Sequence, residues 1–195
     1  MTMSKAMHAM ALFLLVLAAA CGSTAPKERY FTLAAPDRGG PPPASDQPSI
    51  FVGPVSVPDA VDRTQMVLIT GPNQVDVSDD DRWAELPRNA IASTVAQILG
   101  RELGTSRVFS SRAASGTPVD YRVSIEVRRF DSSLAEGATI DAVWTVTSPS
   151  GPARNGHAFA HEPAASHDPA GVAAAHGRAL ERITREIARS IREAR

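Results

Sequence analysis

Two incompatible periods, one after the other, constrain the fold of this chain more than anything else in it. Ile140, Ala142, Trp144 and Val146 recur at every second residue, while Val172, Ala175, Ala179, Leu180, Ile183, Ile187 and Ile191 recur at helical spacing. A period of two puts one face of a strand on a core, and a period near 3.6 puts one stripe of a helix there. The first pattern has a neighbour in Tyr121, Val123, Ile125 and Val127, which slips at Arg128-Arg129-Phe130 and so predicts a bulge. Ser132 to Gly137 reads as a hairpin connection, Pro149-Ser150-Gly151-Pro152 as a turn, and Arg154 to His161 as a further strand. Strands joined by such tight turns are antiparallel. The helix has a clear start at Asp168-Pro169, with Asp as N-cap and Pro in the first turn.

The earlier part of the chain repeats the alternation of element types. Arg29 to Ala34 reads as a brief strand, and Ile50 to Val57 as a strand whose Gly53-Pro54 marks an edge or a bulge. Thr64 to Thr70 is another strand, and Gln74 to Ser78 its short partner. Ser78-Asp79-Asp80-Asp81 has the look of a helix start, with Arg82 to Leu86 supplying one or two turns. Pro87 opens a longer helix, in which Ile91, Val95, Ile98, Leu99 and Leu103 share a face and which Gly104 stops. Arg107 to Ser110 is a short strand. The predicted fold class is α+β: a mostly antiparallel sheet with two amphipathic helices packed on one face. The stripes alone leave open a helix docked onto a second protein.

Ahead of this domain lies a different kind of sequence. Lys5, the apolar run Ala11 to Leu17 and the small residues Ala18-Ala19-Ala20 lead to Cys21, the sole cysteine. Charge, grease and small residues in that order make a secretory signal. The run is shorter than the ~20 apolar residues that span a bilayer as a helix. Cleavage before a lone cysteine resembles the lipobox of bacterial lipoproteins, in which the new N-terminal cysteine is acylated; Gly22 after it then favours the outer membrane. An ordinary signal peptide cut at the alanines, with Cys21 a free thiol, fits the same layout. The expected organisation is a signal peptide over 1–20, a lipidated tether over 21–28 and a single domain over 29–195 that carries a Pro/Gly-rich loop at 36–48. Between Cys21 and Tyr30 the chain reaches about 30 Å at most, so the domain is held close to a lipid surface. Two or more acyl chains make such an anchor stable.

Loss of Lys5 with the signal takes the formal charge from −1 to about −2. A near-neutral balance is not that of a nucleic-acid binder, which concentrates basic charge on one face. One cysteine allows no intramolecular disulfide.

No catalytic constellation emerges. There is no Gly-x-Ser-x-Gly elbow and no phosphate-cradling glycine loop. Asp79-Asp80-Asp81 lacks the ligand spacing of a calcium loop. His157, His161, His167 and His176 fall in one region, but on a strand His157 and His161 stand roughly 13 Å apart, too far to share a zinc ion with ligands at about 2 Å. No metal site, no cofactor and no enzymatic activity are expected.

Three stretches, in order, carry a resemblance: Tyr30-Phe31-Thr32-Leu33, then Val55-Ser56-Val57-Pro58-Asp59-Ala60-Val61-Asp62-Arg63-Thr64-Gln65-Met66-Val67, then Asp81-Arg82-Trp83-Ala84-Glu85. With Cys21 before them, they make the chain similar to the ABC-type transport auxiliary lipoproteins, the PqiC-like family. The resemblance implies an accessory subunit rather than an enzyme. Its partner would be an MCE-domain protein of an ABC transport system that moves lipids or other apolar molecules across the periplasm of a Gram-negative cell. It would sit on the outer membrane through its acyl chains. A direct carrier, holding a lipid between sheet and helices, is the alternative, and the oligomeric state is open. Arg63, Gln65 and Trp83 stand out within these stretches. Trp83 is expected at the seam between sheet and helices, with Arg63 and Gln65 either hydrogen-bonded across it or free for a partner contact.

Overall fold

The structure is a computed structural model that describes residues 27–36, 39, 44, 47–110 and 116–194. The predicted signal, Cys21 and most of the Pro/Gly-rich loop lie outside the described residues. Eight strands form a single curled sheet: β1 (Arg29–Phe31), β2 (Ile50–Ser56), β3 (Gln65–Gly71), β4 (Gln74–Trp83), β5 (Val108–Phe109), β6 (Tyr121–Ser133), β7 (Gly137–Ser148) and β8 (Gly151–Glu162). Two helices, α1 (Pro87–Leu103) and α2 (Pro169–Glu193), complete the α+β domain.

The long strand β6 organises the sheet. One edge of β6 pairs with β7 throughout, and β7 with β8, as an antiparallel meander. The other edge pairs with β2 near its start, Ile50 opposite Tyr121, and with β3 near its end, Leu68 opposite Ser132. Beyond β3 come β4 and then β1, and beyond β2 comes the short β5.

The sheet is mixed rather than mostly antiparallel. The pairings β1–β4, β2–β5, β2–β6 and β3–β6 are parallel. The reason lies in the connections. Parallel neighbours need a long crossover, commonly helical, and α1 lies between β2 and its parallel partners β5 and β6 in the chain. Local turn chemistry reveals hairpins but not such crossovers.

A second expectation also changes. Residues 78–83 do not begin a helix; β4 runs through them to Trp83. Val67 lies opposite Val77 while Gln65 lies opposite Arg82, so β4 carries an excursion at Ser78–Asp81. The Ser78 hydroxyl closes it, donating to Asp81 Oδ2 at 3.1 Å and accepting from the Asp81 amide at 3.0 Å. Serine and aspartate bond to their local backbone in turns as well as at helix starts, and here they do so within a strand. Here Arg29 of β1 meets Asp81 at 2.7 Å and the β1–β4 ladder holds residues 81–83 extended.

Both helices keep the limits that their capping residues suggest. Pro87 is the first residue of α1, and Gly104 ends it at φ 65°, in the left-handed region that glycine tolerates. Asp168 caps α2 by accepting the Gly171 amide at 2.7 Å. That bond and the Ser166 hydroxyl lower the Asp168 pKa below the usual carboxylate range. Register shifts at Val52/Val55 and Val127/Arg129 place bulges at the two sites where the sequence pattern breaks.

The apolar stripe of α2, Val172 to Ile191, is buried against the sheet and α1. Each of its isoleucines and leucines contributes about 1.5–3 kcal/mol on burial. The helices are also joined by Glu181 of α2, which meets Arg101 of α1 at 3.0 Å and Arg185 at 2.8 Å. The desolvation of a buried carboxylate offsets most of what such pairing gains, so the apolar stripe is the main hold on α2.

Candidate functional site

The segment that follows β1 is clamped between the helices. Thr94 of α1 donates to the Leu33 carbonyl, Arg101 of α1 donates to the Pro36 carbonyl at 2.9 Å, and Leu33 is buried in the core. On the other side Gly177 of α2 lies so close that a Cβ there would stand 2.1 Å from the Ala34 carbonyl oxygen. The segment that continues β1 is therefore fixed against both helices.

Trp83 is buried at 2% exposure, where β4 meets α2. Its ring packs edge-on against Phe130 of β6 at 5.9 Å and His176 of α2 at 5.8 Å, and those two rings stack at 4.0 Å. His176 Nε2 and the Ser132 hydroxyl lie 2.8 Å apart, and Nδ1 is buried without a hydrogen-bond partner among the described residues. Full burial lowers the His176 pKa to about 3, so the ring is neutral at physiological pH. Sequence reasoning grouped His176 with the other histidines and missed its place here. The signal was present: position 176 falls between Val172 and Leu180 on the apolar stripe.

The remaining histidines go to separate places. His157 meets Asp141 at 2.8 Å, His161 meets Thr139 at 2.9 Å, and His167 meets the Leu134 carbonyl at 2.8 Å. Among the described residues no group of three metal-ligating side chains converges.

Arg63 and Gln65 flank Thr64, whose carbonyl accepts the Trp83 amide at 2.6 Å. The backbone thus brings the three singled-out residues to one corner. Their side chains part there. Trp83 enters the core; Arg63 is exposed and Gln65 half-buried, and neither of those two side chains is hydrogen-bonded to another described residue.

Arg63 lines a groove of about 450 Å³ on the face of β3 opposite the core. Met66 and Leu68 join the core cluster, whereas Val67 between them does not. Val67 and Ile69 of β3 face Val77 and Val75 of β4 in register, and these four residues make the floor. Pro58, Ala60 and Val61 form a wall. Val75 is 57% exposed and Val77 37%, unusual for valines on a strand. The rim carries Arg63, Arg128 and Arg129 against Asp131. Arg128 pairs with Glu126 at 3.2 Å, and Arg129 Nε with Asp131 at 3.0 Å. Such a surface is suited to contact with an apolar partner that carries negative charge. Among the described residues no helix is long and apolar enough to cross a membrane.

The chain belongs to the family of ABC-type transport auxiliary lipoprotein components, whose model matches residues 31–188. It is therefore a membrane-anchored bacterial lipoprotein of a transport system. Two solved structures share its fold. A Xanthomonas campestris protein of family DUF330 is 21% identical, with a TM-score of 0.64 over 82% of this chain and 92% of its own. An uncharacterized protein is 17% identical, with a TM-score of 0.64 over 85% of this chain and 99% of its own. No curated protein matches the sequence significantly.

Proposed function

We propose that the protein is a non-catalytic docking subunit, held on the outer membrane by acyl chains on Cys21, that engages the MCE-domain protein of an ABC transport system moving lipids or other apolar molecules across the periplasm. The family match over residues 31–188 carries this reading. The clamp at Leu33–Pro36 supports it, because a docking subunit has to pass load from its anchor to its body without unfolding. So does the reach of the tether, about 30 Å at most, which suits a collar at a membrane better than an enzyme roaming for soluble substrates.

Affinity capture of the acylated protein from detergent-solubilised membranes tests the reading. Mass spectrometry should identify a transporter subunit with an MCE domain in the eluate. Repeated recovery of unrelated proteins alone would refute it.

A further inference from the structure

We propose that the groove beside the β3–β4 hairpin faces the bilayer that carries the anchor and receives an acyl chain of an anionic phospholipid from it. The inference rests on the membrane-anchored reading of Cys21 and adds to it an orientation and a lipid contact.

The direction of β1 is the first support. β1 runs parallel to β4, and β4 begins at the hairpin tip, Gly71 to Gln74. The chain therefore enters β1 from the tip side of the sheet. Tyr30 is level with Arg82 and, across β4, with Gln65. From Gln65 to Gly71 the strand rises about 20 Å at ~3.3 Å per residue, and the tether that precedes Arg29 reaches about 28 Å when extended. The tether is therefore long enough for the tip end of the sheet, from which the chain enters β1, to meet the lipid. Strand β5 lies at the other end, because Phe109 pairs with Phe51, which pairs with Arg122 near the start of β6, whereas β3 meets β6 at Ser132 near its finish.

The chemistry of the groove is the second support. Its floor of Val67, Ile69, Val75 and Val77 is apolar and is exposed at Val75 and Val77, and 450 Å³ lies within the range of sites that take a drug-sized apolar group. At the rim Arg128 is paired with Glu126 and Arg129 with Asp131, which leaves the Arg63 guanidinium as the rim cation without an ion pair among the described residues, where a lipid phosphate would lie. Arg63 is exposed, and its guanidinium is not hydrogen-bonded to any described residue. An apolar floor with basic residues above it is the pattern by which surfaces seat on anionic membranes.

The sole cysteine makes the test direct. In the acylated mature protein Cys21 has no free thiol, so Val75→Cys and, separately, Phe109→Cys each offer one site for an environment-sensitive fluorophore. The labelled proteins are placed in vesicles of phosphatidylcholine with phosphatidylglycerol, or of phosphatidylcholine alone, with brominated acyl chains as quencher. The label at position 75 should be quenched several-fold more than that at position 109, more strongly with phosphatidylglycerol present, and Arg63→Glu should remove the phosphatidylglycerol increment. Equal quenching at the two positions, or none at position 75, overturns the proposal. So does energy transfer between labelled copies that survives dilution in the bilayer, which would assign the groove to a second copy. Recovery of the MCE-domain partner by the unsubstituted acylated protein, read beside the quenching, separates failure of this contact from failure of the docking role. Labelling of a second thiol would show Cys21 unacylated and remove the anchored reading together with this one.

Discussion

On β7 the side turned toward α2 carries Ala138, Ile140, Ala142, Trp144 and Val146, all buried, while the other side carries Thr139, Asp141, Val143 and Thr145, all partly exposed. On β8 the same division separates Ala158 and Ala160 from His157, Phe159 and His161. The small residues on the covered side let α2 lie close to the sheet, so that face is spent on folding. The open side is mostly polar, with side chains paired across strands as in His157–Asp141 and Thr145–Asn155. Cross-strand pairs of that kind give roughly 0.2–1 kcal/mol each. The open side departs from this polar character at the exposed Phe159 and at the Val67–Val77 groove. Stability resides on one face, then, and the other is free to make contacts.

That contrast can be broken most forcefully at Trp83. Trp83→Ala would remove the ring that Phe130 and His176 pack against, and a truncation of this size in a core costs about 3–5 kcal/mol. Urea unfolding should show a much lower midpoint. A loss under about 1 kcal/mol would mean that the seam between sheet and helix is not close-packed.

Gly177→Ala sharpens the comparison at the clamp. The new methyl would stand 2.1 Å from the Ala34 carbonyl oxygen, a backbone atom that cannot rotate away. Displacing the clamped segment should cost about 1–3 kcal/mol, the usual range for overpacking. Hydrogen exchange should show faster exchange at the β1–β4 ladder, with α2 itself largely unaffected. Unchanged protection at β1 would mean that the clamp does not hold the first strand.

His176 sharpens it in another way, through pH. Its pKa is lowered from 6.5 to about 3 by burial, so below pH 6.5 the unfolded chain takes up a proton that the folded one refuses. The stability due to the neutral ring is complete above pH 6.5 and falls as pH drops toward about 3, with a slope approaching 1.4 kcal/mol per pH unit. The carboxyl groups of Asp120 and Asp168 have lowered pKa values and weaken the fold in the same direction, but only at pH values below the ordinary carboxylate range. Between the two ranges the slope belongs to His176 and should flatten in His176→Gln. An equally steep slope in that variant would place the proton uptake on another group.

Periodicity was a sound guide wherever one face of an element is buried and the other wet. The β6–β8 meander, α1 and α2 were legible for that reason, down to Pro87, Gly104 and Asp168 as helix limits. It failed at Ser78–Asp81, because serine and aspartate close a strand bulge with the same hydrogen bonds that start a helix, and the partner strand β1 that decides between them lies far away in the chain. The parallel pairings of β2 were hidden for a related reason: nothing local to Ile50–Ser56 encodes a crossover through α1. At the candidate site, resemblance singled out Arg63, while Val75 and Val77 were legible only as part of a short strand, Gln74 to Ser78. The groove itself exists only once β3 and β4 are paired, because its floor comes half from each.

The smallest effect on folding and the largest on contact are expected together at the open face. Val75 is 57% exposed, so Val75→Ser removes little buried surface, and Arg63→Gln breaks no hydrogen bond to a described residue. Exposed substitutions of this kind stay within about 0.5 kcal/mol, and thermal unfolding of both variants should overlay that of the parent. If the open face makes the contacts, both variants should nonetheless weaken association with liposomes or with the transporter subunit, Arg63→Gln doing so more at low salt, since exposed charges are screened over about 10 Å at 0.1 M. A variant as unstable as Gly177→Ala would put these side chains on the folding side of the sheet. Parent-like association by both would leave the exposed valines without a role, and the contrast between the two faces would then reduce to covered and uncovered surface.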